Sequence, residues 1–120
     1  MPTLLIVDDE TDVCEFAKNF FTRRKIDVIT ARSGEEALKF LEQEKVNLVL
    51  LDIRMGGIDG VQVLEQMRKR GDTTDVIMVT GVNEDEAMEK TKKLGAIGYI
   101  HKPLVLAELE KVVMGRLVKK

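Results

Sequence analysis

The sequence predicts an α/β domain, a doubly wound parallel sheet of five strands with helices on both faces. Three observations carry that expectation. The segments "TLLIV" (3–7), "NLVLL" (47–51) and "DVIMVT" (75–80) are short and apolar on nearly every residue, as strands covered on both faces are. Stretches with helical spacing separate them, each long enough to carry the chain across to a parallel neighbour. The alternation continues through all 120 residues with no repeat, low-complexity tract or linker. One domain over residues 1–120 is therefore expected, with no effector domain in this chain.

The elements follow in order. After the first strand, Val13, Phe16, Ala17 and Phe20 recur at helical spacing. The second strand, "IDVIT" (26–30), is broken by a charge and suits an edge position. Ser33 and Glu36 have capping-box spacing and open a second helix whose apolar side holds Ala37, Phe40 and Leu41. The third strand leads into a helix with Val61, Leu64 and Met67 on one side. After the fourth strand, Asn83 and Glu86 read as a cap and its reciprocal partner ahead of Ala87, Met88 and Thr91. "AIGYI" (96–100) contains a glycine and suits the other edge, and Leu106, Leu109, Val113 and Leu117 mark the last helix. Arg116, Lys119 and Lys120 complement that helix's dipole at its C-terminal end.

Composition narrows the function classes. The 44% hydrophobic and 33% charged fractions are those of a globular domain. No apolar run approaches the ~20 residues of a membrane span, and no signal peptide precedes Leu4. A net charge of −2 offers no basic footprint, so no direct binding of nucleic acid or membrane is expected. The single cysteine, Cys14, has no internal partner and reads as a small hydrophobe of the first helix, which suits the cytoplasm.

In an open parallel sheet, ligands sit beyond the carboxyl ends of the strands. Strand one ends in Asp8 and Asp9, strand three in Asp52, strand four in Thr80, and strand five leads to Lys102 and Pro103. The topology gathers three carboxylates, a hydroxyl and an ammonium at one mouth. Adjacent carboxylates about 4 Å apart repel by roughly 1 to 4 kcal/mol, and a hard divalent cation such as Mg²⁺ relieves this. Pure helix capping would need only one or two of the acids Asp8, Asp9 and Glu10. With a metal bound, one carboxylate can act as nucleophile toward phosphorus while Lys102 and Thr80 stabilise the transferring oxygens. Asp52, set apart from the acidic pair, is the candidate nucleophile.

Five landmarks occur in order, "VDDE", "LLDIRM", "IDG", "VTG" and "HKP". With their spacing, the chain from residue 3 to 118 resembles the receiver domain of the bacterial two-component response-regulator family. The resemblance implies a flavodoxin-like (βα)5 fold with strand order 2-1-3-4-5 and a phosphorelay switch in which Asp52 accepts a phosphoryl group. It implies Mg²⁺, with Mn²⁺ as a substitute, held by Asp8, Asp9, Asp52 and the backbone carbonyl of Arg54. Lys102 would pair with the phosphorylated Asp52, and a cis bond before Pro103 would direct its ammonium. Thr80 would turn toward the phosphoryl group as Tyr99 moves inward, repacking the face made by the fourth helix, fifth strand and fifth helix. The implied partners are a histidine kinase or histidine phosphotransfer protein, a downstream effector, and a second copy in a phosphorylation-dependent homodimer. One departure is clear: Gly56 and Gly57 follow Met55 where the family usually has proline, which loosens the loop after Asp52.

Two other classes compete. A Mg²⁺-dependent phosphohydrolase with an aspartyl-phosphate intermediate uses the same parts, but it normally carries a general acid two residues after the nucleophile, where this chain has Arg54. A flavin-binding module needs a Ser/Thr/Gly-rich phosphate loop after strand one, where this chain has acids. A self-phosphorylating and self-dephosphorylating signalling module, not a turnover enzyme, is the expectation. His101 beside this site reads as a neutral surface histidine.

Overall fold

The computed structural model describes residues 1–118; Lys119 and Lys120 lie outside the described residues. Ten elements alternate: β1 (Thr3–Val7), α1 (Thr11–Thr22), β2 (Asp27–Ala31), α2 (Gly34–Gln43), β3 (Leu48–Asp52), α3 (Gly60–Lys69), β4 (Asp75–Thr80), α4 (Asp85–Lys93), β5 (Gly98–His101) and α5 (Leu106–Leu117). All neighbouring strands are parallel, in the order β2-β1-β3-β4-β5. The charge-broken and glycine-containing strands are the edges, as their sequences suggest.

The interior strands are apolar throughout because successive side chains enter two different cores. Leu5, Val7, Val49 and Leu51 pack with Ala37 of α2 and Val63, Leu64 and Met67 of α3. Leu4, Ile6, Leu48 and Leu50 pack on the opposite face with Cys14, Ala17 and Phe21 of α1 and Leu109 and Val113 of α5. Strand order reverses between β1 and β3, so a crevice opens beyond their carboxyl ends. Asp8 follows one of these strands and Asp52 ends the other.

The helix starts show where local rules were redirected. Ser33 Oγ accepts from Glu36 N at 3.1 Å, but Glu36 Oε1 reaches back to Arg32 N at 3.3 Å rather than to the cap itself. A reciprocal capping box forms instead at α3, between Asp59 and Gln62. The expected Asn83–Glu86 cap does not form. Asn83 adopts φ 60, a left-handed conformation its short polar side chain tolerates, so α4 begins only at Asp85. The buried stripe of α1 is Cys14, Ala17 and Phe21. Phe16, placed on the apolar face by spacing alone, is 58% exposed and lines a groove between α1 and α5 with Leu106.

Candidate functional site

The backbone of Asp8 continues the β1–β2 ladder by one bond, Asp8 N to Ala31 O at 3.0 Å, which fixes the side chain at the mouth. Its Oδ1 accepts from Glu10 N at 2.9 Å. Asp52 is the last residue of β3, and its two oxygens have separate partners: Oδ1 accepts from Arg54 N at 3.2 Å and Oδ2 from Lys102 Nζ at 2.7 Å. Lys102 is placed by its own amide, which donates to Thr80 O at 2.7 Å across the β4–β5 edge. The Lys102–Pro103 bond is cis. Asp8, Asp9 and Asp52 each present a carboxylate oxygen within 4.8 Å of the others. Asp8 and Asp52 are buried while Asp9 is open to solvent. The structure thus brings together the three acids and the ammonium.

Burial dominates the electrostatics. It pushes the Asp52 carboxyl above its ordinary range; the Lys102 hydrogen bond pulls the other way and the Asp8 charge adds to the rise. Asp8 is raised by burial against the Glu10 amide and Lys102, with Glu10 and Asp9 adding repulsion. Burial lowers Lys102, but its bond and attraction to Asp52 more than reverse this, and its pKa ends raised. One ammonium therefore does not neutralise the acids. An all-oxygen, negatively charged donor set of this kind fits a hard divalent cation.

The loop after Asp52 is tied down at both ends. Ile53 N donates to Val79 O at 3.1 Å, and Gly60 N donates to Ile53 O at 2.8 Å. A Cβ on Gly60 would lie 2.3 Å from the Asp52 carbonyl oxygen, so α3 can start this close to β3 only with glycine there. Gly57 makes the turn with φ 77, whereas a Cβ on Gly56 would meet nothing within 4 Å. The exposed Arg54 side chain reaches toward Glu84, Nε to Oε2 at 3.6 Å.

Thr80 is fully buried at the end of β4, but its hydroxyl is engaged with His101 Nδ1 at 2.9 Å. Tyr99 is half-buried on the same face, its hydroxyl donating to Met88 O of α4 at 2.9 Å and lying 3.2 Å from Thr91 Oγ1. Neither hydroxyl is hydrogen-bonded to Asp52, whose partners are Arg54 N and Lys102 Nζ. Sequence reasoning missed two participants. Glu84 is buried and accepts from Gly81 N at 2.6 Å, holding the turn after Thr80; an acid three residues after that glycine was the available signal. His101 faces Thr80 because the two are register partners, and residue spacing alone does not reveal register.

Comparisons with known proteins agree with this geometry. The family model described as "Response regulator receiver domain" matches residues 4–114. Sporulation initiation phosphotransferase F of Bacillus subtilis is 30% identical over 92% of this chain and 89% of its own length. The alkaline phosphatase synthesis transcriptional regulatory protein PhoP of the same organism is 37% identical over 83% of this chain but 42% of its own length. The probable C4-dicarboxylate response regulator DctR, also from B. subtilis, is matched over 50% of its length, so the chain spans about half of these two longer relatives. Among solved structures, the response regulator protein TrrA of Thermotoga maritima, in complex with Mg²⁺-BeF, has a TM-score of 0.82 and 32% identity over 98% of this chain and 100% of its own. A CheY-like receiver domain protein of Methanospirillum hungatei has a TM-score of 0.90 and 30% identity over 96% and 92%. Among the described residues no helix is long and apolar enough to cross a membrane. Its sheet order, its acidic crevice and these matches together establish that the chain belongs to the response regulator receiver domain family, the signalling modules of two-component systems.

Proposed function

We propose that Asp52 is the phosphoacceptor of a phosphorelay switch, receiving a phosphoryl group from the phosphohistidine of a histidine kinase or histidine phosphotransfer protein. The observation that carries this reading is the Asp52 carboxylate itself. It is 1% exposed, bonded by Lys102 Nζ at 2.7 Å, and set within 4.8 Å of two further carboxylates. Asp8, Asp9 and Asp52, with the backbone carbonyl of Arg54, would hold Mg²⁺ or Mn²⁺. When bound, the ion supplies charge neutralisation for the acids and for the transferring oxygens.

The chain's own groups do the rest. The Arg54 amide and Lys102 fix both Asp52 oxygens before the phosphoryl donor arrives, so little reorientation remains to be done. An Asp52 oxygen attacks phosphorus in line, the P–N bond of the donor breaks, and the imidazole nitrogen leaves with the electron pair and takes up a proton. Lys102 then pairs with the phosphorylated side chain. Thr80 turns its hydroxyl to a phosphoryl oxygen, and Tyr99 follows into the space behind it. This shifts the population of the face formed by α4, β5 and α5, where a downstream effector or a second copy of the chain docks. The acyl phosphate is labile, so water resets the switch. Gly56 and Pro103 shape the two loops that flank the acceptor.

Intact mass after incubation with acetyl phosphate tests the reading, with and without Mg²⁺, on wild type and Asp52→Asn. One labile phosphate that needs both Mg²⁺ and Asp52 is expected. No added mass on wild type in the presence of bound Mg²⁺ would refute the assignment. Repeated turnover of a small phosphate ester would favour the phosphohydrolase instead.

A further inference from the structure

We infer that His101 is a positioning residue that latches Thr80 in its resting orientation by competing with the phosphoryl group for the threonine hydroxyl. The inference rests on the phosphoacceptor reading of Asp52. Thr80 and His101 are Cα partners in the parallel β4–β5 pair, so their side chains leave the sheet on the same side. His101 Nδ1 lies 2.9 Å from Thr80 Oγ1. Thr80 is fully buried and His101 is exposed, so the imidazole closes the solvent side of the hydroxyl.

The bond has a direction that matters. With its ring proton on Nε2, His101 accepts at Nδ1, and the single Thr80 hydroxyl proton is committed to it. A phosphoryl oxygen on Asp52 also needs that proton, and one hydroxyl hydrogen serves one strong acceptor at a time. β-Branched threonine has few side-chain rotamers, so the hydroxyl chooses between discrete positions. Among the described residues no buried side-chain polar atom lacks a partner, and the Thr80 hydroxyl's partner is this imidazole. Deleting the acceptor leaves a buried hydroxyl unpaired in the resting state alone. Because leaving such a group unpaired costs more than the bond contributes, the equilibrium moves toward the phosphoryl-bound orientation. The latch therefore sets how much of the phosphoryl group's interaction energy is spent in freeing Thr80.

The probe is beryllofluoride with Mg²⁺, titrated against wild type, His101→Phe and His101→Asn. Phenylalanine keeps a ring of similar size without an acceptor. Asparagine returns a carbonyl oxygen near the Nδ1 position. His101→Phe is expected to bind about three- to tenfold more tightly than wild type, the equivalent of one neutral hydrogen bond, and His101→Asn is expected to return to near the wild-type value. Equal affinity of wild type and His101→Phe overturns the latch, as does equal tightening in both variants. Failure of wild type itself to bind overturns the phosphoacceptor reading and the latch with it. Ring-nitrogen NMR of the unmodified protein gives a test that needs no variant and no phosphoryl mimic. A proton on Nε2 with Nδ1 accepting is expected, and a proton found on Nδ1 overturns the latch, because the Thr80 hydroxyl would then be free to donate elsewhere.

Discussion

Asp8→Asn should make the metal-free protein more stable while weakening its response to Mg²⁺. Asp8 is 3% exposed and has carboxylate oxygens of Asp9 and Asp52 within 4.8 Å. Two unit charges at 4.8 Å repel by about 1 kcal/mol with bulk-water screening and about 3.5 kcal/mol at an effective dielectric of ~20. Attraction to Lys102 offsets part of this. An asparagine carbonyl can still accept from Glu10 N, so the local hydrogen bond survives. A net gain of about 1 kcal/mol in chelator is expected, or about 3 to 5 °C in Tm for a domain of this size. Added Mg²⁺ reverses the order, since wild type gains about 2.7 kcal/mol at a hundredfold excess over Kd and the variant has lost a donor.

The pH dependence has a definite sign. Burial raises the folded pKa of Asp8 above its ordinary 3.8, so folding favours the protonated acid. The electrostatic penalty is absent below 3.8, grows as pH rises from there toward the raised value, and is fully present above it. The stability gap between variant and wild type should therefore close on acidification. Urea denaturation in chelator and in Mg²⁺, at neutral and acid pH, reads all of this. An Asp8→Asn protein no more stable than wild type in chelator at neutral pH would refute the claim that uncompensated charge is stored in the crevice.

Two further outcomes follow from local geometry. Gly60→Ala drives a methyl to 2.3 Å from the Asp52 carbonyl oxygen and 2.9 Å from Ile53 Cα, both backbone atoms. It should cost about 1 to 3 kcal/mol in urea denaturation and weaken Mg²⁺ binding by moving the acceptor strand, and unchanged stability would mean the β3–α3 approach is looser than described. Cys14, buried with its thiol pushed up to about 11 by burial and then by the Asp8 charge, should resist iodoacetamide at pH 8 until urea unfolds the chain. Labelling of the folded protein at the unfolded rate would show that α1 opens locally.

The parts legible in the sequence were those governed by period and chain position. Leu48 to Leu51 are apolar in succession because alternate side chains enter different cores, and that is visible without coordinates. Asp8, Asp9, Asp52 and Lys102 could be gathered on paper because a parallel sheet brings every carboxyl end to one side. Legibility failed where two local preferences competed. Asn83 is a good cap and also a good left-handed residue, and the turn took it. Phe16 fits an apolar helical stripe that begins at Val13, but the stripe that meets the sheet runs through Cys14, Ala17 and Phe21, and spacing alone does not choose between adjacent stripes.

By itself, then, the sequence determined the ten alternating elements, the two edge strands and the gathering of Asp8, Asp9, Asp52 and Lys102, though not Glu84, because these depend on short-range pattern and on the sense of a parallel crossover. Only the tertiary structure decided which hydroxyl meets which acceptor. Thr80 lies opposite His101 and bonds its ring nitrogen, and Tyr99 is held on Met88 of α4, because strand register and helix placement are set by the packing of both cores at once. A difference of one residue in register would exchange these partners without changing any local preference in the chain.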